Sequence, residues 1–242
     1  MNSRRKFLLQ GGMATTALLA AKPFKTMAEA GFAIPGFSVN DNKITVAHTV
    51  YPDHAAHGQL VREIAEVKNS SSNVLLLHTG NAATDNLAKQ PAYDASISRN
   101  NAVSASANDY RIVYKGNIKI GVISAIASDD AIGQVNSLSA FLKKEKKCHI
   151  VVCLSQLGSA NKNAINDRKL AAASSSLDMI IGGNAKDHFK YPLIVLNKDN
   201  AEVIISHVPE MVGVLNQVDM AFDKSGKKKN VFFTKNIEKM TA

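Results

Sequence analysis

The chain has 242 residues, 45% of them hydrophobic, and carries 29 lysines and arginines against 20 acids for a formal net charge of +9. Those values are ordinary for a globular protein and give enough chain for one α/β domain with a full core, or for two small ones. The sequence has no tryptophan to stack on bases, and no aromatic residues interleave with its lysine clusters, so nucleic acid is not an expected partner.

The first thirty residues read as a separate unit. NSRRKFLLQ (residues 2–10) sets Arg4 and Arg5 before Phe7 and Leu8, and GGMATTALLAA (residues 11–21) is a weakly apolar run too short to span a bilayer. With the triplet Ala28, Glu29, Ala30, this stretch resembles a twin-arginine export signal cleaved near Ala30, which implies a periplasmic destination. No cysteine lies near the cut, so no membrane anchor is expected after cleavage. Removing residues 1–30 takes away Arg4, Arg5, Lys6, Lys22, Lys25 and Glu29, and lowers the formal charge from +9 to +5. A polar linker, residues 31–42, leads into a single domain over 43–242.

Within that domain, KITVAHTV (43–50) has strand character, and GQLVREIAEVKN (58–69) places Leu60, Ile64 and Val67 at helical spacing. NVLLLHTGN (73–81) follows as a buried strand and completes a β-α-β unit. The same alternation returns with IKIGVISAIA (118–127), a helix over 135–146, HIVVCLSQLG (149–158), a helix over 164–173, and a strand from Leu177 to Ile181 that runs into Gly182 and Gly183. Alternating strands and helices imply a largely parallel sheet with helices on its faces. The glycine pair fits a tight turn or a close backbone approach better than an anion cradle. YPLIVLN, AEVIISHV and VGVLNQVDMAFD then follow with only turns between them, which predicts an antiparallel second sheet and a two-sheet α/β sandwich overall. Lys143, Lys144, Lys146 and Lys147 are expected at a helix end, and Lys227 to Lys229 in a solvated tail. Cys148 and Cys153 flank one apolar run at an odd separation, which on a strand sets them on opposite faces and predicts unbridged core thiols.

The strand ends carry short polar clusters that form one rim in such a fold: HTVYPDHAAH, HTGN, YDASISRNN, CLSQLG and IIGGNAKDH. With the frame ITVAHT, NVLLLHTGN, GNIKIGVIS, IVVCLSQLG, LDMIIGG and YPLIVLNKDNAEVIISHV, the chain resembles the calcineurin-like metallophosphoesterase domain of the 5'-nucleotidase family over nearly its whole mature length. The resemblance implies a dinuclear metal site that activates water against a phosphate ester. The family's D-x-H falls on Tyr51 and Asp53, and its G-D on Gly80 and Asn81. Its G-N-H-E falls on Arg99, Asn100, Asn101 and Ala102, the histidine of its LSHLG on Gln156, and its G-H-x-H on Gly183, Asn184, Ala185 and Lys186. Among the matched donors only Asn100 keeps its identity. Neutral amides bring no charge to offset a dication. An ammonium at Lys186 about 5 Å from a dication would be repelled by roughly 6 to 7 kcal/mol at an effective dielectric near 20.

Two expectations follow. One is an exported, degenerate domain that needs no cofactor and acts by binding a partner or a small anion, the latter at Asn184 and Lys186. The other is an active phosphoesterase with a divalent metal pair in a rebuilt site drawn from Asp53, His54, His57, His78, Asp85 and His188, where Asp53 and His57 share a helical face if the helix begins there. Ser155 and Ser159 lie around a turn, but no Ser-His-Asp spacing in the sequence argues for a serine nucleophile. The family commonly has a carboxyl-terminal base-binding domain, and the chain stops about where that domain would begin, so a separate polypeptide supplying it is an expected partner.

Overall fold

The computed structural model of the chain describes residues 42–50, 57–80, 93–98, 110–159, 165–183, 191–208 and 215–234, all within the compact unit Asn40–Ala242. The strands are β1 (Asn42–Thr49), β2 (Val74–Gly80), β3 (Ala95–Ser98), β4 (Tyr110–Lys115), β5 (Ile118–Ala125), β6 (Ile150–Ser155), β7 (Met179–Gly182), β8 (Leu193–Leu196), β9 (Glu202–His207), β10 (Leu215–Phe222) and β11 (Lys228–Thr234). Three helices are described: α1 (His57–Ser70), α2 (Ala131–Lys144) and α3 (Asp167–Ala173).

The strands form a five-stranded sheet in the order β11-β10-β1-β2-β3 and a six-stranded sheet in the order β4-β5-β6-β7-β9-β8. The centre of each is parallel: β1, β2 and β3 in the first, and β5, β6, β7 and β9 in the second. The two sheets pack face to face. Alternate residues of the paired strands, among them Ile44, Val46, Leu75, Leu77, Val152, Leu154, Met179, Ile181 and Ile204, fill the layer between them. The intervening residues face outward: Ala47 and Leu76 pack under Leu60 and Ile64 of α1, while Val151, Cys153, Ile180 and Ile205 pack under Val135 and Leu142 of α2 and Leu170 of α3. Cover on both faces explains why β2 and β6 are buried at every position and read as unbroken apolar runs.

The expected two-sheet α/β sandwich is therefore present, but its closing strands are arranged differently from the expectation. β9 is not part of a separate antiparallel sheet. It is buried at five of six positions, so it has two covered faces, and it pairs in parallel with β7, with β8 lying antiparallel at its outer edge. β10 crosses to the first sheet and pairs antiparallel with β1. The lysine run at 227–229 is not a tail either, because Lys228 opens β11. The Asp223 carboxylate accepts from the Ser225 and Lys227 amides, and Gly226 takes a φ of 79°, which closes the hairpin between β10 and β11.

α2 starts and stops earlier than its sequence pattern suggested. Its last turn carries Lys143 and Lys144, and Lys147, at a φ of 56°, turns the chain so that the Cys148 amide reaches the Leu142 carbonyl at 2.9 Å. Cys148 thus precedes β6 rather than lying on it. Both cysteines are free and buried in the same helix-side cluster, so the expectation of core thiols holds while the opposite-face argument for it does not.

Candidate functional site

The parallel strands of both sheets end at the same rim, with Thr49 closing β1, Gly80 β2, Ser155 β6, Gly182 β7 and His207 β9. Strand alternation sorts the polar residues there into layers. His48 follows Ile44 and Val46 into the space between the sheets, and Thr79 follows Leu75 and Leu77 into the same space. The His48 Nε2 and Thr79 Oγ1 atoms lie 2.7 Å apart. From the opposite sheet Gly183 comes so close that a Cβ on it would lie 2.5 Å from Thr79 Cβ and 2.6 Å from Thr79 Oγ1. Asn216, the β10 partner of His48, ties the sheets together directly, its Nδ2 donating to the His207 carbonyl at 2.7 Å. Ser206 continues the inward face of β9 beyond Ile204. The buried His48 Nδ1, Asn216 Oδ1, Ser206 Oγ and Gln156 Nε2 atoms have no hydrogen-bond partner among the described residues. Buried polar atoms of this kind require partners, from water or from other polar groups.

A second polar cluster lies on the other face of the six-stranded sheet, beneath α3. The Ser155 hydroxyl donates to Asp167 Oδ1 at 2.5 Å, and His207 Nε2 lies 2.7 Å from Asp167 Oδ2. All three residues are at most 2% exposed. The sequence offered no spacing for a serine triad, yet the fold does bring a serine, an aspartate and a histidine together. Their order differs from that of a nucleophilic triad: the carboxylate sits in the centre and binds both neighbours, so the serine is held by the acid instead of being deprotonated by the imidazole. The cluster anchors the first residue of α3 to the ends of β6 and β9.

A third cluster lies under α1 on the outer face of the first sheet. Here His78 Nδ1 is 3.2 Å from the Thr49 carbonyl, Thr49 Oγ1 is 2.9 Å from Tyr93 Oη, and the His78 and Tyr93 rings stand 5.2 Å apart.

Of the residues singled out from the sequence, Gln156 immediately follows β6 and falls on its inward side by alternation, and His78 belongs to the third cluster, on the face of β2 opposite to Thr79. His57 opens α1. Tyr51, Asp53, His54, Asn81, Asp85, Asn100, Asn101, Asn184, Lys186 and His188 lie outside the described residues. Sequence reasoning missed His48, Thr79, Asp167 and His207. Two of these carried a signal, the His-Thr dipeptide that ends both β1 and β2. The parallel register pairs Thr49 with His78, one residue out of step with the repeated dipeptide, so the first strand presents its histidine inward and the second its threonine.

Burial holds the His48 imidazole well below its ordinary value of 6.5, and the neighbouring His78 and His207 push it the same way. The unfolded chain therefore takes up a proton at His48 at a higher pH than the folded one does. Stability falls as the pH drops below about 6.5, with a slope approaching about 1.4 kcal/mol per pH unit from this group. Urea denaturation from pH 7.5 down to pH 5 should show the loss, and the conservative change His48→Gln should flatten it. An unchanged slope in that variant would assign the acid sensitivity to other groups.

Two face-to-face mixed sheets, flanked by helices and with a polar rim at the carboxyl ends of the parallel strands, make this a calcineurin-like phosphoesterase fold. Solved structures share it: a 5'-nucleotidase precursor from Thermus thermophilus matches with a TM-score of 0.57 and 16% identity over 81% of this chain and 55% of that one. An NAD nucleotidase from Haemophilus influenzae matches with a TM-score of 0.56 and 14% identity over 81% of this chain and 50% of the other. A hypothetical protein from Thermus thermophilus matches over 81% of this chain and all of its own, with a TM-score of 0.50 and 7% identity. The chain thus spans about half the length of the two nucleotidases. No protein-family model matches the sequence, and no curated protein matches it.

The family that the sequence resembles would hold a pair of divalent ions at this rim. The described part of that rim offers one neutral imidazole at His48, the amides of Gln156 and Asn216, and the hydroxyls of Thr79 and Ser206. Among the described residues, no three histidine, cysteine, aspartate or glutamate side chains come together to hold a metal. The buried carboxylate of Asp167 is engaged on the helix side by Ser155 and His207. The donors on this described part of the rim are all neutral and bring no charge to offset a pair of dications.

Proposed function

We propose that the chain is an exported domain of metallophosphoesterase fold that has lost metal-dependent hydrolysis and acts by binding. The observation that carries this reading is the replacement of charged donors at the rim: Tyr51, Asn81, Asn101, Gln156, Asn184 and Lys186 stand where the resembling family has carboxylates or imidazoles. The ligands it favours are a small anion, met by Asn184 and Lys186, and a separate polypeptide that carries a nucleotidase carboxyl-terminal domain. No cofactor is required. The twin arginines at positions 4 and 5 support delivery to the periplasm. Among the described residues no helix is long and apolar enough to cross a membrane.

The test is metal content and turnover together. Protein recovered without chelator and incubated with manganese is expected to retain far less than one ion per chain and to leave nucleotides and aryl phosphates uncleaved. Retention of about two ions per chain with phosphate release would overturn the proposal and favour a rebuilt site that uses Asp53, His54, His57, His78, Asp85 or His188. Cross-linking in the native envelope is expected to recover a second polypeptide.

A further inference from the structure

The outer edge of the six-stranded sheet is short, apolar and uncharged. β8 is the last strand in the order, and among the described residues no strand pairs with its free side. Its four residues, Leu193, Ile194, Val195 and Leu196, include no charge, proline or bulge; of the devices that ordinarily stop an edge from pairing with another chain it has only its shortness and the Pro192 that precedes it. Leu193 and Val195 pack toward the helix-side core, whereas Ile194 and Leu196 are 51% and 58% exposed.

The hydrogen-bonding pattern fixes which backbone groups are free. The Asn197 amide donates to the Ala201 carbonyl at 3.0 Å, which makes those residues a hydrogen-bonded pair of the hairpin between β8 and β9. Antiparallel alternation then directs the N–H and C=O groups of Leu193 and Val195 toward β9, and those of Ile194 and Leu196 outward. The same two residues therefore present both the exposed apolar side chains and the open backbone groups.

We propose that this edge pairs with the same edge of a second copy of the chain, antiparallel, about a two-fold axis through Val195. In that register Ile194 of each copy stands opposite Leu196 of the other. Both outward N–H and both outward C=O groups of each copy then find partners, and the exposed face of the joint holds four aliphatic side chains with no charge among them. A shift to a two-fold through Ile194 is poorer, because it sets Leu196 opposite Pro192, which has no N–H, and leaves the Leu196 carbonyl without a donor. The ladder from Leu193 to Asn197 is short, so the joint buries less than the ~1,000 Å² typical of stable interfaces, and the dimer is weak and concentration-dependent.

Sedimentation of the full chain from micromolar to submillimolar concentration is expected to show a monomer passing to a dimer. Ile194→Lys alone and Leu196→Glu alone should each weaken association about tenfold or more, with thermal midpoints near that of the parent. An equimolar mixture of the two variants should recover association, because the lysine introduced in one copy then faces the glutamate introduced in the other. In the unsubstituted chain, exchange of the Ile194 and Leu196 amides should slow as concentration rises, a readout that needs no variant. A chain that stays monomeric throughout, or that associates with no dependence on positions 194 and 196, overturns the proposal and leaves the edge to a different partner. A mixture no better than its components overturns the register and with it the two-fold pairing described.

Discussion

Replacing Asp167 with alanine is expected to destabilise the fold by about 2–6 kcal/mol, since two buried groups each lose a hydrogen-bond partner at about 1–3 kcal/mol apiece. Asp167 is 0% exposed and binds Ser155 through one carboxylate oxygen and His207 through the other. Its loss strips both of their shared partner at once. It also frees the start of α3, a helix of seven residues that is too short to persist without tertiary anchoring. For a domain of this size the loss corresponds to a fall in thermal midpoint of roughly 2–4 °C per kcal/mol. Asp167→Asn keeps the shape and one acceptor, and should lose less. Should thermal unfolding of Asp167→Ala show a change below about 1 kcal/mol, the cluster would be no more than an ordinary surface-type interaction and its anchoring role would fail.

The alternation of apolar strands with helices was legible in the sequence because both faces of the parallel strands are covered, and such strands need long apolar runs. The order of strands across the sheets was less so. EVIISH is equally compatible with an antiparallel neighbour next in sequence and with the parallel neighbour β7, and only the packing of the second sheet decides between them. β3 was missed because ASIS is four residues of weak apolar character that pair with the end of β2. β11 was missed because KKNVFFT begins with lysines, which an edge strand accommodates by pointing them to solvent; Lys228 reaches the Glu202 carbonyl at 3.1 Å.

The site divides along a physical line. Residue identities at the rim are visible without a structure, since a lysine or an amide cannot supply what a carboxylate or imidazole would. The face on which each side chain lies is not visible, because it turns on a single-residue register. His48 and His78 are each followed by threonine at the end of a parallel strand, yet one faces the other sheet and the second faces α1. Likewise Ser155, Asp167 and His207 come from three separate stretches, 12 and 40 residues apart, and no local pattern links them. A search for spaced motifs finds neither arrangement. What would have indicated them is the parity of each polar residue relative to the apolar positions of its own strand.

The glycine pair Gly182 and Gly183 shows the same parity with a direct energetic consequence, and alanine at either position is expected to cost about 1–3 kcal/mol or more by overpacking. Neither residue has a positive φ, so the requirement for glycine there is space and not turn conformation. A Cβ on Gly182 would point to the helix side, directly against the His207 ring and 2.7 Å from Asp167 Oδ2. A Cβ on Gly183 would point between the sheets, against Thr79. The two substitutions should therefore have different signatures. Gly182→Ala disturbs the Asp167 cluster, so combining it with Asp167→Ala should cost less than the two changes added, because both act on one network. Gly183→Ala forces Thr79 away from His48, so it should alter the His48 ring resonances and the acid dependence of stability while adding to Asp167→Ala almost independently. Full additivity for Gly182 with Asp167, measured in a double-mutant cycle by urea denaturation, would mean that the two glycines do not serve opposite faces of the sheet.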